Sequence, residues 1–160
     1  AGMAVKAWPH WRPLAAALAR RGARPLVVGE RAVLDAWRDG PACPLPALDL
    51  RGLAAVFAAV AGRGGVVVGP DTGPLRVAAA VGAPTVAIFG PTSAARYGLG
   101  PPGLDLQGLP SCPHRLPTSI AEQVCWWDAA CPLSDAGPAC MADLGPERVL
   151  ESVRELLATA

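Results

Sequence analysis

The chain has 160 residues, 52% of them hydrophobic, with 14 basic against 13 acidic side chains and a formal net charge of +1. That is ample apolar material for one compact domain spanning 1–160, and it excludes a largely disordered chain. The balanced charge offers no footprint for nucleic acid or an anionic membrane surface, no apolar run approaches the roughly 18 residues needed to span a bilayer, and the opening residues lack a secretory leader's basic and apolar segments, so the expectation is a soluble cytoplasmic domain.

Met3 to Ala7 reads as a short first strand and carries the lone Lys of a chain with thirteen Arg and no Asn. Such a bias points to a GC-rich genome, and it makes Lys6 conspicuous, because an ammonium is a compact point charge suited to a phosphate where Arg brings a planar fork. Trp11 to Arg21 places Leu14, Ala15 and Leu18 at helical spacing before Gly22 stops it. Leu26 to Val28 reads as a strand, Arg31 to Arg38 as a short helix, Ala47 to Leu50 as a strand, and Leu53 to Ala61 as an Ala-rich helix. Val66, Val67 and Val68 are β-branched residues bounded by glycine, which suit a strand buried on both faces. Asp71 and Thr72 are good helix caps, Pro74 fits a first helical turn, and helix formers continue to Val81. Thr85 to Phe89 is a further strand, closed by Gly90-Pro91-Thr92. From Ser93 to about Gly145 prolines punctuate an irregular segment that holds Cys112, Cys125, Cys131 and Cys140. A closing helix at about 146–158 follows, with Pro146 and Glu147 in its first turn and Val149, Val153, Leu156 and Leu157 inward. Alternating strands and helices with short links predict an α/β fold, a doubly wound parallel sheet of Rossmann-like type.

In such a sheet the loops at the carboxyl edge hold ligands. The turn at Asp71, Thr72 and Gly73 opens a helix whose first N–H groups lack intrahelical partners and carry the positive end of the macrodipole, and Gly73 has no side chain to keep a phosphate away. On this triplet alone an anion cradle and an ordinary capped turn are both open. A second turn, Gly90 to Ser93, ends the next strand at the same edge. Glu30 would end a third strand there, able to accept hydrogen bonds from a ribose diol, and Lys6 a fourth. Together these groups suit a nucleoside diphosphate that carries a sugar.

Asp-Thr-Gly is also the core of the aspartic proteases, which pair two such carboxylates. Their scaffold is all-β, whereas this triplet leads into a Pro-containing, Ala-rich helix. The four cysteines of the irregular segment have intervening spacings that fit no CxxC pair, so free thiols are expected and no metal site. His10 and His114 have no second ligand at useful spacing. Trp8, Trp126 and Trp127 are expected in packing.

The ordered motifs resemble the C-terminal domain of the family 9 glycosyltransferases, typified by the lipopolysaccharide heptosyltransferases. The resemblance is carried by Asp71-Thr72-Gly73 through Ala80, by Pro84-Thr85 through Pro91-Thr92, by Lys6-Ala7-Trp8-Pro9, by Val27 to Arg31, by Asp49-Leu50-Arg51-Gly52, and by Cys140-Met141 with Pro146-Glu147-Arg148-Val149. It implies one half of a GT-B enzyme of cell-surface glycan synthesis: an ADP-heptose-like donor in this domain, an acceptor that is lipid-borne and met peripherally at a membrane, and inversion of the anomeric carbon with no metal and no cofactor. By position, Lys6 would neutralise donor phosphate, Glu30 hold the ribose, Thr72 and Gly73 donate to the diphosphate, and Asp71 meet sugar hydroxyls, with Gly90 and Thr92 in the second turn. Arg76 stands where the family has His, so it takes over a polar or phosphate contact or alters the donor site. The family's general base lies in an N-terminal domain, so the resemblance implies an isolated chain that binds nucleotide without turnover; the alternative is a non-catalytic nucleotide-binding module.

Overall fold

The chain's architecture is seen in a computed structural model, which describes residues 3–159. Its strands are β1 (Leu26–Val27), β2 (Cys43–Pro44), β3 (Val67–Pro70), β4 (Thr85–Phe89) and β5 (Leu104–Gln107), and every pairing among them is parallel. The helices are α1 (Trp11–Ala19), α2 (Arg31–Ala36), α3 (Leu50–Ala61), α4 (Gly73–Ala80), α5 (Ala94–Tyr97), α6 (Ala139–Ala142) and α7 (Pro146–Thr159). The α/β, Rossmann-like reading is therefore correct.

Strand β4 organises the core because both of its faces are covered. Val86 and Ile88 point into one layer with Leu14 of α1 and Val149 and Val153 of α7, while Ala87 and Phe89 pack beside Leu75 of α4. Phe57 of α3 and Ala78 of α4 complete the second layer. All five residues of β4 are buried. At roughly 1.5–3 kcal/mol for each large apolar side chain removed from water, this double layer is the main source of stability.

Several local expectations are corrected. Met3 to Ala7 forms no strand; Ala4–Lys6 is a single 3-10 turn. Ala47 to Leu50 forms no strand either, because Asp49 accepts a 2.8 Å hydrogen bond from the Gly52 N–H and caps α3, which starts at Leu50 rather than Leu53. The second strand lies earlier, at Cys43–Pro44. α1 ends at Ala19 and α2 at Ala36, earlier than expected, and Gly22 at φ +81° turns the chain beyond α1. The irregular segment contains β5, held in place as Asp105 accepts from the Leu99 and Gly100 N–H groups.

The sheet is also not continuous. β1 and β2 form one pair, and β3, β4 and β5 form a separate three-stranded sheet. Between β1 and β3 runs a groove of about 600 Å3, lined on its two sides by residues 25–29 and 65–69.

Candidate functional site

The turn after β3 is built around a buried carboxylate. Asp71 is 7% exposed, and its backbone N–H bonds to the Ile88 carbonyl of β4, which fixes the turn to the sheet. Lys6, 65 residues earlier, donates from Nζ to the Asp71 carbonyl at 2.6 Å and to Oδ2 at 3.1 Å. Arg76, from the first turn of α4, donates from Nη2 to Oδ1 at 2.6 Å and to the Tyr97 carbonyl at 2.9 Å. Burial pushes the Asp71 carboxyl upward, but the Lys6 charge and hydrogen bond, the Arg76 hydrogen bond and a weaker pull from Thr92 outweigh it and hold its pKa below the ordinary carboxylate value.

Asp71 is thus engaged by two cations and does not cap α4. Thr72 occupies the N-cap position without a capping hydrogen bond; its hydroxyl donates to the Pro70 carbonyl at 3.3 Å. Pro74 lies in the first turn as expected. The Gly73 and Leu75 N–H groups therefore head α4 without a side-chain acceptor from the cap, and a Cβ at Gly73 would meet nothing within 4 Å. Thr92 is 2% exposed, and its Oγ1, near Asp71 but outside hydrogen-bond geometry, is buried without a partner.

Lys6 is placed by its neighbours in sequence. Trp8 is buried, donates from its indole N–H to the Leu144 carbonyl at 2.8 Å, and stacks edge-on to Trp11 with ring centres 4.8 Å apart. That anchors the chain just after the 3-10 turn, so the Lys6 stem runs toward Asp71. Trp126 of the irregular segment lies over the ammonium, 5.5 Å from ring centre to Nζ, and packs with Val5 and Cys125. Trp127, by contrast, is 77% exposed, so packing accounts for only one of the pair.

Glu30 is the N-cap residue of α2, three positions beyond the end of β1, and so ends no strand of the sheet that holds Asp71. It nevertheless lines the same groove as Lys6 and Thr72. Gly90 serves close packing: a Cβ there would lie 2.3 Å from the Met141 Sδ and 3.1 Å from the Cys140 Sγ. Its carbonyl accepts from Arg115 Nε and Nη2 and from Gln107 Nε2, a clamp that spacing alone did not reveal. Arg115 and Gln107 are therefore supports of the second turn that sequence reasoning missed.

Cys112, Cys125, Cys131 and Cys140 converge around one small cavity together with His114, although their sequence spacing suggested no cluster. All five cysteines are free thiols, and among the described residues no group of three His, Cys, Asp or Glu is arranged to hold a metal ion. Burial pushes the Cys140 thiol up to about 11. Among the described residues no helix is long and apolar enough to cross a membrane.

The family model described as glycosyltransferase family 9 (heptosyltransferase) matches residues 1–107. The crystal structure of a family 9 glycosyl transferase from Veillonella parvula superposes with a TM-score of 0.71 at 18% identity, covering 100% of this chain and 44% of that one. The chain thus spans less than half the length of that structural relative. No curated protein matches the chain. The same Asp-Thr-Gly that could have marked an aspartic protease sits in a parallel α/β framework, at the head of a helix, where that all-β scaffold is ruled out.

Proposed function

The chain belongs to glycosyltransferase family 9, and from that premise we propose that it forms the nucleotide-sugar-binding half of an inverting transferase, with an ADP-heptose-like donor seated against the Asp71 turn. The observation that carries this reading is the Lys6 ammonium held at the head of α4, beside uncapped N–H groups, an open Gly73 and an unpartnered Thr92 hydroxyl. A diphosphate supplies the acceptors that each of these donors lacks or can share.

In this reading Lys6 and the α4 terminus neutralise the diphosphate and stabilise the charge that grows on the departing ADP, electrostatic help of the oxyanion-hole type. Asp71 positions the two cations, and its remaining lone pairs read the sugar hydroxyls. Glu30, on the rim of the same groove, accepts from the ribose diol. Arg76, tied to both Asp71 and the Tyr97 carbonyl, replaces the imidazole that the family's motif has there with a fixed cation. Metal is not required in this scheme, because the cationic work falls to Lys6, Arg76 and the helix. The acceptor, lipid-borne in cell-surface glycan synthesis, and the general base belong to a companion N-terminal domain.

Calorimetry with ADP, UDP and an ADP-sugar on the wild type and on Lys6→Ala tests this. ADP affinity should fall at least tenfold in the variant, and unchanged affinity removes Lys6 from the phosphate site. Transfer by the 160-residue chain alone would overturn the half-enzyme reading. The competing reading, a non-catalytic nucleotide-binding module, is favoured by the Arg76 substitution and requires ADP binding with no preference for a sugar-bearing nucleotide.

A further inference from the structure

We propose that Cys112, Cys125, Cys131 and Cys140 bind one zinc ion as thiolates, and that this ion staples the irregular chain between β5 and α6 to the core of the domain. The inference concerns the fold of that chain and stands apart from the donor-site reading.

The segment has little else to hold it. Between Gly108 and Pro138 its regular structure is the 3-10 turn Ile120–Glu122 and the single Cys131–Ser134 bridge. Its buried apolar cluster is small, Cys125 and Trp126 against Val5. Burial on that scale does little to offset the conformational entropy lost in ordering such a stretch, and cross-links through cysteine are a common substitute for a core.

The cysteines reach one point. Cys112, Cys125 and Cys131 of the segment and Cys140 of α6 line a single cavity of about 10 Å3, together with Gln123 and Arg115. That is room for one atom-sized guest and not for a cluster of metals. Burial raises the Cys140 thiol, Arg115 draws it down, and Cys112, Cys125 and Cys131 each raise it further, so a charge on any of those three sulfurs is felt at the fourth. The remaining cysteine, Cys43, is exposed on β2 and does not line the cavity.

A second observation points to a guest with negatively charged ligands. Gln123, on the lining of the same cavity, is 3% exposed; its Oε1 accepts from the Leu116 N–H, but its Nε2 is buried without a partner. A neutral thiol is a weak acceptor, whereas a metal-bound thiolate accepts N–H donors readily, and outer donors of this kind orient the ligands. Arg115 is held beside the sulfurs by the Gly90, Gly108 and Pro110 carbonyls, and its charge offsets part of the excess of four thiolates over a divalent ion. A disulfide pairs sulfurs two by two and brings that amide no charge to meet.

Four sulfur ligands around a space for one ion suit zinc. Binding breaks four S–H bonds, forms four Zn–S bonds and releases four protons to solvent, with no change of oxidation state. Among the described residues no three such groups already stand in a ligating arrangement, so the ion draws the sulfurs inward. Cys140 is fixed, packed on α6 in the same core cluster as Val86 and Ile88. Cys112, Cys125 and Cys131 lie outside the named strands and helices, where rotation about the side chain and small shifts of the loop are enough. Trp126, which covers the Lys6 ammonium, directly follows Cys125, so the ion also fixes that cover.

The test is metal analysis of the 160-residue chain, purified under reducing conditions without chelator, which should carry about one zinc per chain. Metal-free protein titrated with cobalt, or protein expressed with cobalt in place of zinc, should show sulfur-to-cobalt charge-transfer absorption and the visible bands of a tetrahedral site, both removed by one equivalent of zinc. Cys112→Ser, Cys125→Ser, Cys131→Ser and Cys140→Ser should each weaken zinc binding at least tenfold, while Cys43→Ser keeps the wild-type stoichiometry. Where a serine variant does not fold, the wild-type cobalt spectrum decides. Protein that takes up no metal and gives no sulfur-to-cobalt band overturns the proposal. A spectrum of octahedral, oxygen-ligated cobalt, or zinc binding unchanged in the four serine variants, marks adventitious binding and overturns it too.

Discussion

The Lys6 ammonium holds both the carbonyl and the carboxylate of Asp71, so one side chain fixes the backbone and the charge of a turn 65 residues away. Neither group is well exposed, the side chains being 13% and 8% accessible, so solvent weakens the pair less than it would at the surface. Removing either partner leaves the other charge inside. Arg76 remains to pair Asp71 if Lys6 is lost, whereas among the described residues Lys6 keeps only the carbonyl and the Trp126 ring if the Asp71 carboxylate is lost.

The pH dependence of stability follows from the Asp71 carboxyl, whose folded pKa lies below its unfolded value near 3.8. A group depressed by folding contributes stability that is fully present above the unfolded pKa and is lost as pH falls through the folded one. Melting temperature should therefore drop as pH falls below about 4 in the wild type, beyond the general acid effect. Asp71→Asn should melt lower at neutral pH and show a shallower acid limb. An acid limb of the same steepness in the variant would mean that Asp71 contributes little to it.

How far the sequence could be read depends on whether the determining contacts are local. The strand expected at Val66–Val68, found at Val67–Pro70, and Thr85–Phe89 and the Pro146 helix were readable because β-branched runs between glycines and a 3.6-residue stripe are local signals. Ala47–Leu50 was misread although the cap signal, Asp49 three residues before Gly52, was present in the same motif. β5 was hidden among prolines, and its placement rests on Asp105 accepting from the Leu99 loop and Gln107 donating to the end of β4 and the Gly90 turn, contacts that spacing cannot foresee. The same holds for the site: local caps and glycines marked the Asp71 turn, and its being the lone lysine of an Arg-rich chain marked Lys6. The Trp126 cover and the Arg115 clamp depend on how a long irregular segment folds back.

Trp8→Phe should keep the shape of the anchor and lose its polar half. The indole N–H bond to the buried Leu144 carbonyl disappears, leaving an acceptor unpaired at a cost of roughly 1–3 kcal/mol. For a chain of this size each kcal/mol lowers the melting temperature by about 2–4 °C. A calorimetric melt gives the shift directly, and an unchanged transition would show that water replaces the indole at that carbonyl.

Thiol labelling should separate the cysteines by environment. Cys43 is exposed and should react with a maleimide in the native protein. Cys140 is buried with its pKa at about 11, so at pH 8 only about a thousandth of it is the reactive thiolate even before access is considered. Mass spectrometry of the labelled protein should find Cys43 modified and Cys140 intact until denaturant is added. Native labelling of Cys140 at a rate near that of Cys43 would mean that α6 opens readily.

Three glycine-to-alanine changes should rank in severity by what the new methyl meets. At Gly108 it would lie 1.8 Å from the Cys140 carbonyl oxygen, a backbone atom that cannot move without shifting α6. At Gly90 the neighbour is the Met141 side chain at 2.3 Å, which can rotate at the cost of its own packing, so the loss should be smaller, of the order of 1–3 kcal/mol. At Gly73 the space is open, and in the first turn of α4 the backbone is ordinary helix, so folding stability should be unchanged or slightly raised. Melting temperatures should fall in the order Gly73→Ala, Gly90→Ala, Gly108→Ala. The first of these separates structure from binding: with the fold intact, a methyl on the face kept open at Gly73 should weaken ADP binding several-fold by calorimetry. If Gly73→Ala bound ADP as tightly as the wild type, the diphosphate would have to sit away from the head of α4, and the open space there would be an ordinary feature of a strand-to-helix turn.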